Sequence, residues 1–208
     1  MTIISKFKKL KILYIFIFFY KLSAQPLEGV TLFTPSPPSA FATTYTYLID
    51  NNSTILNQWS HPSRCASIPY LMPDSTLFYP SLAPNNFFGV AAAGGRILKY
   101  TWEGDVLWDF TWSSMDFIQH HDIEPLPNGN ILILSNERKT MQDAIDRGRI
   151  EIDGEIWPDM VIEIQPDGIN GGIVVWEWHF WDHLIQDSDS LKLIFGNIST
   201  NPGKLDIN

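Results

Sequence analysis

Leu71-Met72-Pro73-Asp74-Ser75-Thr76-Leu77 and Leu126-Pro127-Asn128-Gly129-Asn130-Ile131-Leu132 decide the fold. Each runs from an apolar residue through a proline-led polar turn back to apolar residues, and Pro73 stands opposite Pro127 at a spacing of 54 residues. Proline presets φ for the entry to a turn, and Asp, Asn and Gly supply its tight central positions. Both stretches therefore predict hairpins, over residues 68–79 and 122–134, with turns at 73–76 and 127–130.

A second kind of segment alternates with these two. Residues 47–59, 97–112 and 161–178 each read as an extended run, a polar turn and a strand ending in Trp59, Trp112 or Trp178. The order is thus outer hairpin, inner hairpin, outer, inner, outer. Four strands per unit, at about 50 residues per unit, is the arithmetic of a β-propeller. A sandwich of short strands would allow the same alternation but does not require the repeat. One helix is expected, over residues 140–147, with Gly148 at its stop. It lies in a polar insertion, residues 136–158, long enough to be a lid or a decoration of the rim.

The expected class is all-β: about two and a half blades of a propeller occupying residues 25–208. A closed propeller needs at least about four blades, so the sequence reads as the N-terminal part of a longer protein, inactive by itself. Ahead of it, Lys6, Lys8, Lys9 and Lys11 precede an apolar run over residues 12–20 and then Leu22-Ser23-Ala24. That order is a secretory leader cleaved after Ala24, and the run is too short for the roughly 20 residues of a membrane span. A periplasmic or secreted protein without a stable membrane span is expected.

Removing residues 1–24 takes away five lysines and no acid, leaving 9 basic and 23 acidic side chains, a net charge of −14. Nucleic acid is excluded as a partner on that balance, since its binding rests on Lys and Arg neutralising phosphates. Cys65 is the only cysteine, so no internal disulfide can form. Packing must hold the fold, and 45% hydrophobic residues with eight tryptophans supply it.

The densest polar cluster is Gln119-His120-His121-Asp122-Ile123-Glu124. With the turn centred on Asn128 and Gly129, regular pairing sets His121 opposite Asn136 and His120 opposite Glu137, with Arg138 beside them. Imidazole, amide and guanidinium groups gathered at one hairpin end suit an oxyanion: histidine serves as nucleophile, acid or base near neutral pH, and arginine offers a planar fork of donors. Alternation opposes a shared cavity for both histidines unless a bulge intervenes. Two other readings stay open here, strand-end capping and a metal site of His120, His121 and Asp122. A second cluster, Trp176-Glu177-Trp178-His179-Phe180-Trp181-Asp182-His183, reads mainly as packing, with His183 its candidate for a site. His61 reads as structural.

Residues 120–132, from His120-His121-Asp122 to Ile131-Leu132, together with the Trp-rich stretch 176–184, resemble the bacterial arylsulfotransferase family, over about residues 47–208. The resemblance implies a six-bladed propeller with its site in the central funnel. It implies transfer of a sulfuryl group from a phenolic sulfate ester to a phenol acceptor through a transiently sulfated histidine, without nucleotide donor, metal or other cofactor. His121 or His120 would fill a catalytic position, and Arg138, Asn136 and His183 would bind the substrate. A noncatalytic envelope propeller that binds polysaccharide or protein is the alternative. A quinone-dependent dehydrogenase would need calcium-binding carboxylates and a stacking tryptophan that have no place in this sequence.

Overall fold

The computed structural model describes residues 27–85, 87–89 and 92–208; the expected leader and its cleavage point lie outside them. The chain is all-β with one short helix. Its first sheet joins β1 (Val30–Phe33), β2 (Thr44–Asp50) and β3 (Ile55–His61) in sequence order. The second is a meander of β4 (Tyr70–Leu71), β5 (Leu77–Leu82), β6 (Gly95–Tyr100) and β7 (Val106–Thr111). The third repeats that order with β8 (Phe117–Pro125), β9 (Ile131–Glu137), β10 (Asp159–Asp167) and β11 (Gly171–His179). A short parallel pair, β12 (Leu184–Ile185) and β13 (Leu205–Asp206), closes the described chain.

The two proline-led turns share one hydrogen-bond pattern. Met72 N–H donates to Thr76 O (2.8 Å), Ser75 N–H to Met72 O (2.9 Å), and Asp74 Oδ1 accepts Thr76 N–H (3.0 Å). In the second turn Leu126 N–H donates to Asn130 O (2.8 Å), Gly129 N–H to Leu126 O (3.0 Å), and Asn128 Oδ1 accepts Asn130 N–H (3.0 Å). Ser75 and Gly129 occupy equivalent left-handed positions, φ 65° and 88°. All five expected hairpins are present, so the repeat holds at the level of individual bonds.

Alternation along β5 explains how the sheets stack. Leu77 and Tyr79 pack with Leu48 and Trp59 of the first sheet, while Phe78, between them, packs with Ile123, Ile131 and Ile133 of the third. Successive strand side chains point to opposite faces, so a strand between two sheets is buried along its whole length, as β5 is. Indole N–H groups then lock one sheet to the next: Trp59 Nε1 donates to Thr101 O (2.9 Å) and Trp108 Nε1 to Gly171 O (2.8 Å). The outer side of β11 has no following sheet among the described residues, and Ile173 and Trp176 stay about half exposed there. Of the tryptophans expected to form packing at this strand end, Trp181 alone is buried.

The helix α1 (Met141–Asp146) forms where expected. Thr140 caps it, with reciprocal bonds between Thr140 and Asp143, and Gly148 ends it with φ 99°. Ala144 seats the helix against Trp181, Leu184 and Ile207, so the insertion is anchored to the C-terminal segment. Among the described residues no helix is long and apolar enough to cross a membrane.

Candidate functional site

The register of the β8–β9 hairpin differs from the regular pairing. Phe117 faces Glu137, Ile118 faces Asn136 and Gln119 faces Ser135; pairing resumes at Ile123 opposite Ile133. His120, His121 and Asp122 therefore lie against Leu134 alone, which is a bulge carrying two extra residues. The expected partners of His120 and His121 are displaced by three residues, one because the pairing leaves the turn with Pro125 opposite Ile131 and two because of the bulge. The physical cause is a nonlocal strand-like contact: the segment before β6 pairs Ala93 with His120, Gly94 N–H donates to Gln119 O (2.9 Å) and His121 N–H to Ala92 O (3.0 Å). His121 takes a left-handed backbone, φ 52°, which costs a non-glycine residue energy and persists only where its surroundings fix it.

The bulge removes the objection from alternation. His120 is buried and His121 exposed, yet their rings meet at right angles with the two Nδ1 atoms 2.8 Å apart. On its other side His120 Nε2 lies 3.1 Å from Asp159 Oδ1, and Asn136 Nδ2 donates to that same oxygen at 2.8 Å. One carboxylate oxygen thus holds the imidazole and the amide within about 6 Å of each other. Asn136 also donates to Trp157 O (3.0 Å). Asn136 and Asp159 face each other directly on β9 and β10. Burial pushes the His120 pKa down, and the nearby Asp159 charge works against that shift without overcoming it.

Arg138 is not turned to the histidines. Its Nε pairs with Glu155 Oε2 at 3.2 Å and its guanidinium lies over the Phe88 ring, 5.2 Å from the centroid. His183, in the turn Phe180–His183, stacks on Trp178 with ring centroids 4.7 Å apart. The structure gives it no contact with His120, His121 or Asn136. Asp122, the third ligand of the metal alternative, instead accepts hydrogen bonds from Tyr70 Oη (2.8 Å) of β4 and from Ser67 Oγ (3.0 Å) in the loop before it. Among the described residues no three metal-binding side chains stand together.

Two participants escaped the sequence reading. Asp159 follows a proline at the end of the insertion, and pairing β10 against β9 would have set it opposite Asn136. His179 pairs with the nearly buried Glu137, Nδ1 to Oε1 at 3.1 Å, and Lys139 Nζ reaches the other oxygen of that carboxylate at 2.6 Å. Glu137 and Asn136 are consecutive, so this ion cluster lies on the opposite face of the sheet from the Asp159 bridge. His61 is structural as expected: buried, stacked 3.5 Å from the Tyr79 ring and bonded through Nε2 to Thr46 Oγ1 (2.8 Å).

The histidine end of the strands also carries the β5–β6 and β9–β10 connections, the usual carriers of function on a rigid scaffold. At the other end, two adjoining cavities of about 380 and 430 Å³ share Phe78, Lys99, Gly129 and Asn130 between the second and third sheets. Chemically, the histidine end offers a neutral buried imidazole oriented by a carboxylate, an exposed imidazole in contact with it and a side-chain amide. No protein-family model matches this chain, and no curated protein is similar enough to it to count as a match.

Proposed function

We propose that the chain is part of an exported β-propeller that transfers a sulfuryl group from a phenolic sulfate ester to a phenol acceptor, through the histidine pair at the β8 bulge. The two four-stranded meanders, stacked face to face, support reading the sheets as blades. The single observation that carries the activity is the chain Asp159–His120–His121, in which a carboxylate orients a buried imidazole against an exposed one. Sulfuryl transfer, like phosphoryl transfer, passes through a loose transition state with charge on the peripheral oxygens, so positioning and electrostatics dominate. An imidazole nucleophile divides the transfer into two steps. Asn136 spends both of its N–H donors on Trp157 O and Asp159 Oδ1, so it positions the carboxylate beside the pair rather than holding the sulfuryl oxygens. The engagement of Arg138 with Glu155 leaves the expected cation to be supplied by a residue other than Arg138.

The test is release of nitrophenolate from nitrophenyl sulfate by the purified full-length protein of which this chain is read as a part, with and without a phenol acceptor. Acceptor-dependent release that disappears in His121→Ala supports the reading, and release without any need for the histidines refutes it. The cavities at the opposite end of the strands favour one second reading, a binding propeller. Lys99, Trp108, Asn128 and Asn130 line them, a mixture suited to a polysaccharide or an extended peptide. Binding at that end with no turnover of aryl sulfates would favour it.

A further inference from the structure

Lys99 breaks the repeat between the second and third sheets. It pairs with Phe78 on β5 and with Trp108 on β7, so its side chain shares the face that the second sheet turns to the third. With Pro73 matched to Pro127, the equivalent position in the third sheet is Glu163, which faces Leu132 as Lys99 faces Phe78. Glu163 Oε1 accepts hydrogen bonds from Asn130 Nδ2 (2.5 Å) and Asn128 Nδ2 (3.2 Å) of the turn beside it. The equivalent turn of the second sheet closes on itself: Asp74 Oδ1 accepts both the Thr76 N–H and the Thr76 hydroxyl, and Lys99 is left out. Its ammonium lies over the Phe78 ring, 5.0 Å from the centroid, and makes no hydrogen bond or ion pair among the described residues. Of the nine cations beyond residue 24, five pair with carboxylates at 2.6–3.8 Å, and Arg149 and Lys204 donate to backbone carbonyls. Lys99 and the exposed Arg64 do neither.

The cavities of about 380 and 430 Å³ meet at this ammonium, since Phe78 and Lys99 line both. We propose that they hold a small organic anion, a carboxylate carried on an apolar aromatic or aliphatic body, with its charge on Lys99. Volumes in this range suit a small molecule. Met72, Pro73, Phe78, Leu126 and Pro127 wall the larger cavity. Proline has no N–H, and the N–H groups of Met72, Leu126 and Gly129 are bonded inside their own turns. Such a wall takes an apolar body and offers little to a row of sugar hydroxyls or peptide groups. Asp74 lines the same cavity but is held by Thr76, and Glu163 is held by Asn128 and Asn130, so neither carboxylate reaches the ammonium. A bound carboxylate supplies the missing partner through a charge-assisted hydrogen bond. The net charge of −14 beyond residue 24 repels anions at long range, so affinity comes from the local contact with Lys99. The site lies at the end of the strands opposite the histidines and rests on neither reading given above.

The probe is 2-naphthoate, with 2-naphthamide as its uncharged match, titrated into the purified full-length protein of which this chain is read as a part. Calorimetry should show naphthoate binding about tenfold or more tighter than naphthamide, the difference set by one hydrogen bond to a charged group. The Trp108 indole N–H, which donates to Gly171 O beside the smaller cavity, should shift in nitrogen–proton spectra as naphthoate is added. Lys99→Gln should weaken naphthoate by about tenfold or more and leave naphthamide unchanged. Lys99→Arg keeps the cation and should hold naphthoate affinity within about threefold. Leu107→Glu, at a wall position that is 43% exposed, sets a carboxylate in the smaller cavity and should weaken naphthoate without unfolding the chain. Absence of naphthoate binding, equal binding of the acid and the amide, or affinity unmoved by Lys99→Gln overturns the proposal. Turnover of aryl sulfates and binding of a polymer are measured separately, so neither falls with it.

Discussion

Asn136 and Asp159 face each other across β9 and β10, with Nδ2 2.8 Å from Oδ1. Asn136 therefore does two jobs, holding the carboxylate in place for His120 and satisfying Trp157 O. Asn136→Ala should leave that carbonyl without its partner and cost about 1–3 kcal/mol. For a chain of this size the melting temperature should fall by about 2–4 °C per kcal/mol. An unchanged urea midpoint would show that the amide holds neither group.

Gly94 and Gln119 set the bulge from the side of the neighbouring sheet. Gln119 is fully buried, and its Oε1 accepts Gly95 N–H at 2.8 Å. A Cβ on Gly94 would collide with that same oxygen and come within 2.8 Å of Ala66 Cβ. Gly94→Ala must displace Gln119, with an expected cost of about 1–3 kcal/mol. It should also shift the His121 amide resonance, since Ala92 O binds that amide two residues away. Stability and resonance both unaltered would show that the glycine is not needed for the close approach.

How far the sequence discloses the fold depends on the range of the interactions concerned. Pro73, Asn128 and Gly129 act within their own turns, and Thr140 and Gly148 within one helix, so hairpins and helix are legible from the residues alone. The bulge is not, because nothing in His120-His121-Asp122 marks two extra residues; it arises from Ala92, Ala93 and Gly94, nearly 30 residues earlier. Arg138 is lost to Glu155 for the same reason, its partner coming from the far side of the insertion. Asp159 lay within reach, since the β9–β10 pairing alone sets it against Asn136.

Trp59 and Trp108 each close a sheet-to-sheet contact with an indole bond to a backbone carbonyl, whereas Trp176 is half exposed on the outer face. Replacing either buried indole by alanine removes a large apolar surface, opens a cavity and orphans the carbonyl, at an expected cost of about 3–5 kcal/mol. Trp176→Ala should cost no more than about 1 kcal/mol in this chain. Denaturant titration of the three variants gives the order, and a Trp176 effect as large as that of Trp59 would show that the outer face is covered in solution.

His61 makes stability depend on pH. Burial between Tyr79, Tyr100 and Thr46 lowers its pKa from the ordinary 6.5 to about 3. The unfolded chain therefore takes up the proton first as pH falls. The contribution is complete above about pH 6.5 and is lost as pH falls from there toward 3, at about 1.4 kcal/mol per pH unit. His61→Phe keeps an aromatic ring for the Tyr79 stack, and Thr46 Oγ1 retains Thr34 Oγ1 at 2.6 Å. Carboxylates contribute their own acid sensitivity to both proteins, so the informative quantity is the difference between the two curves. Urea unfolding from pH 7 to pH 4.5 should show the parent losing stability more steeply, by about that slope below pH 6. Parallel curves would mean that His61 reaches solvent or finds a second partner for Nδ1, which is buried without one.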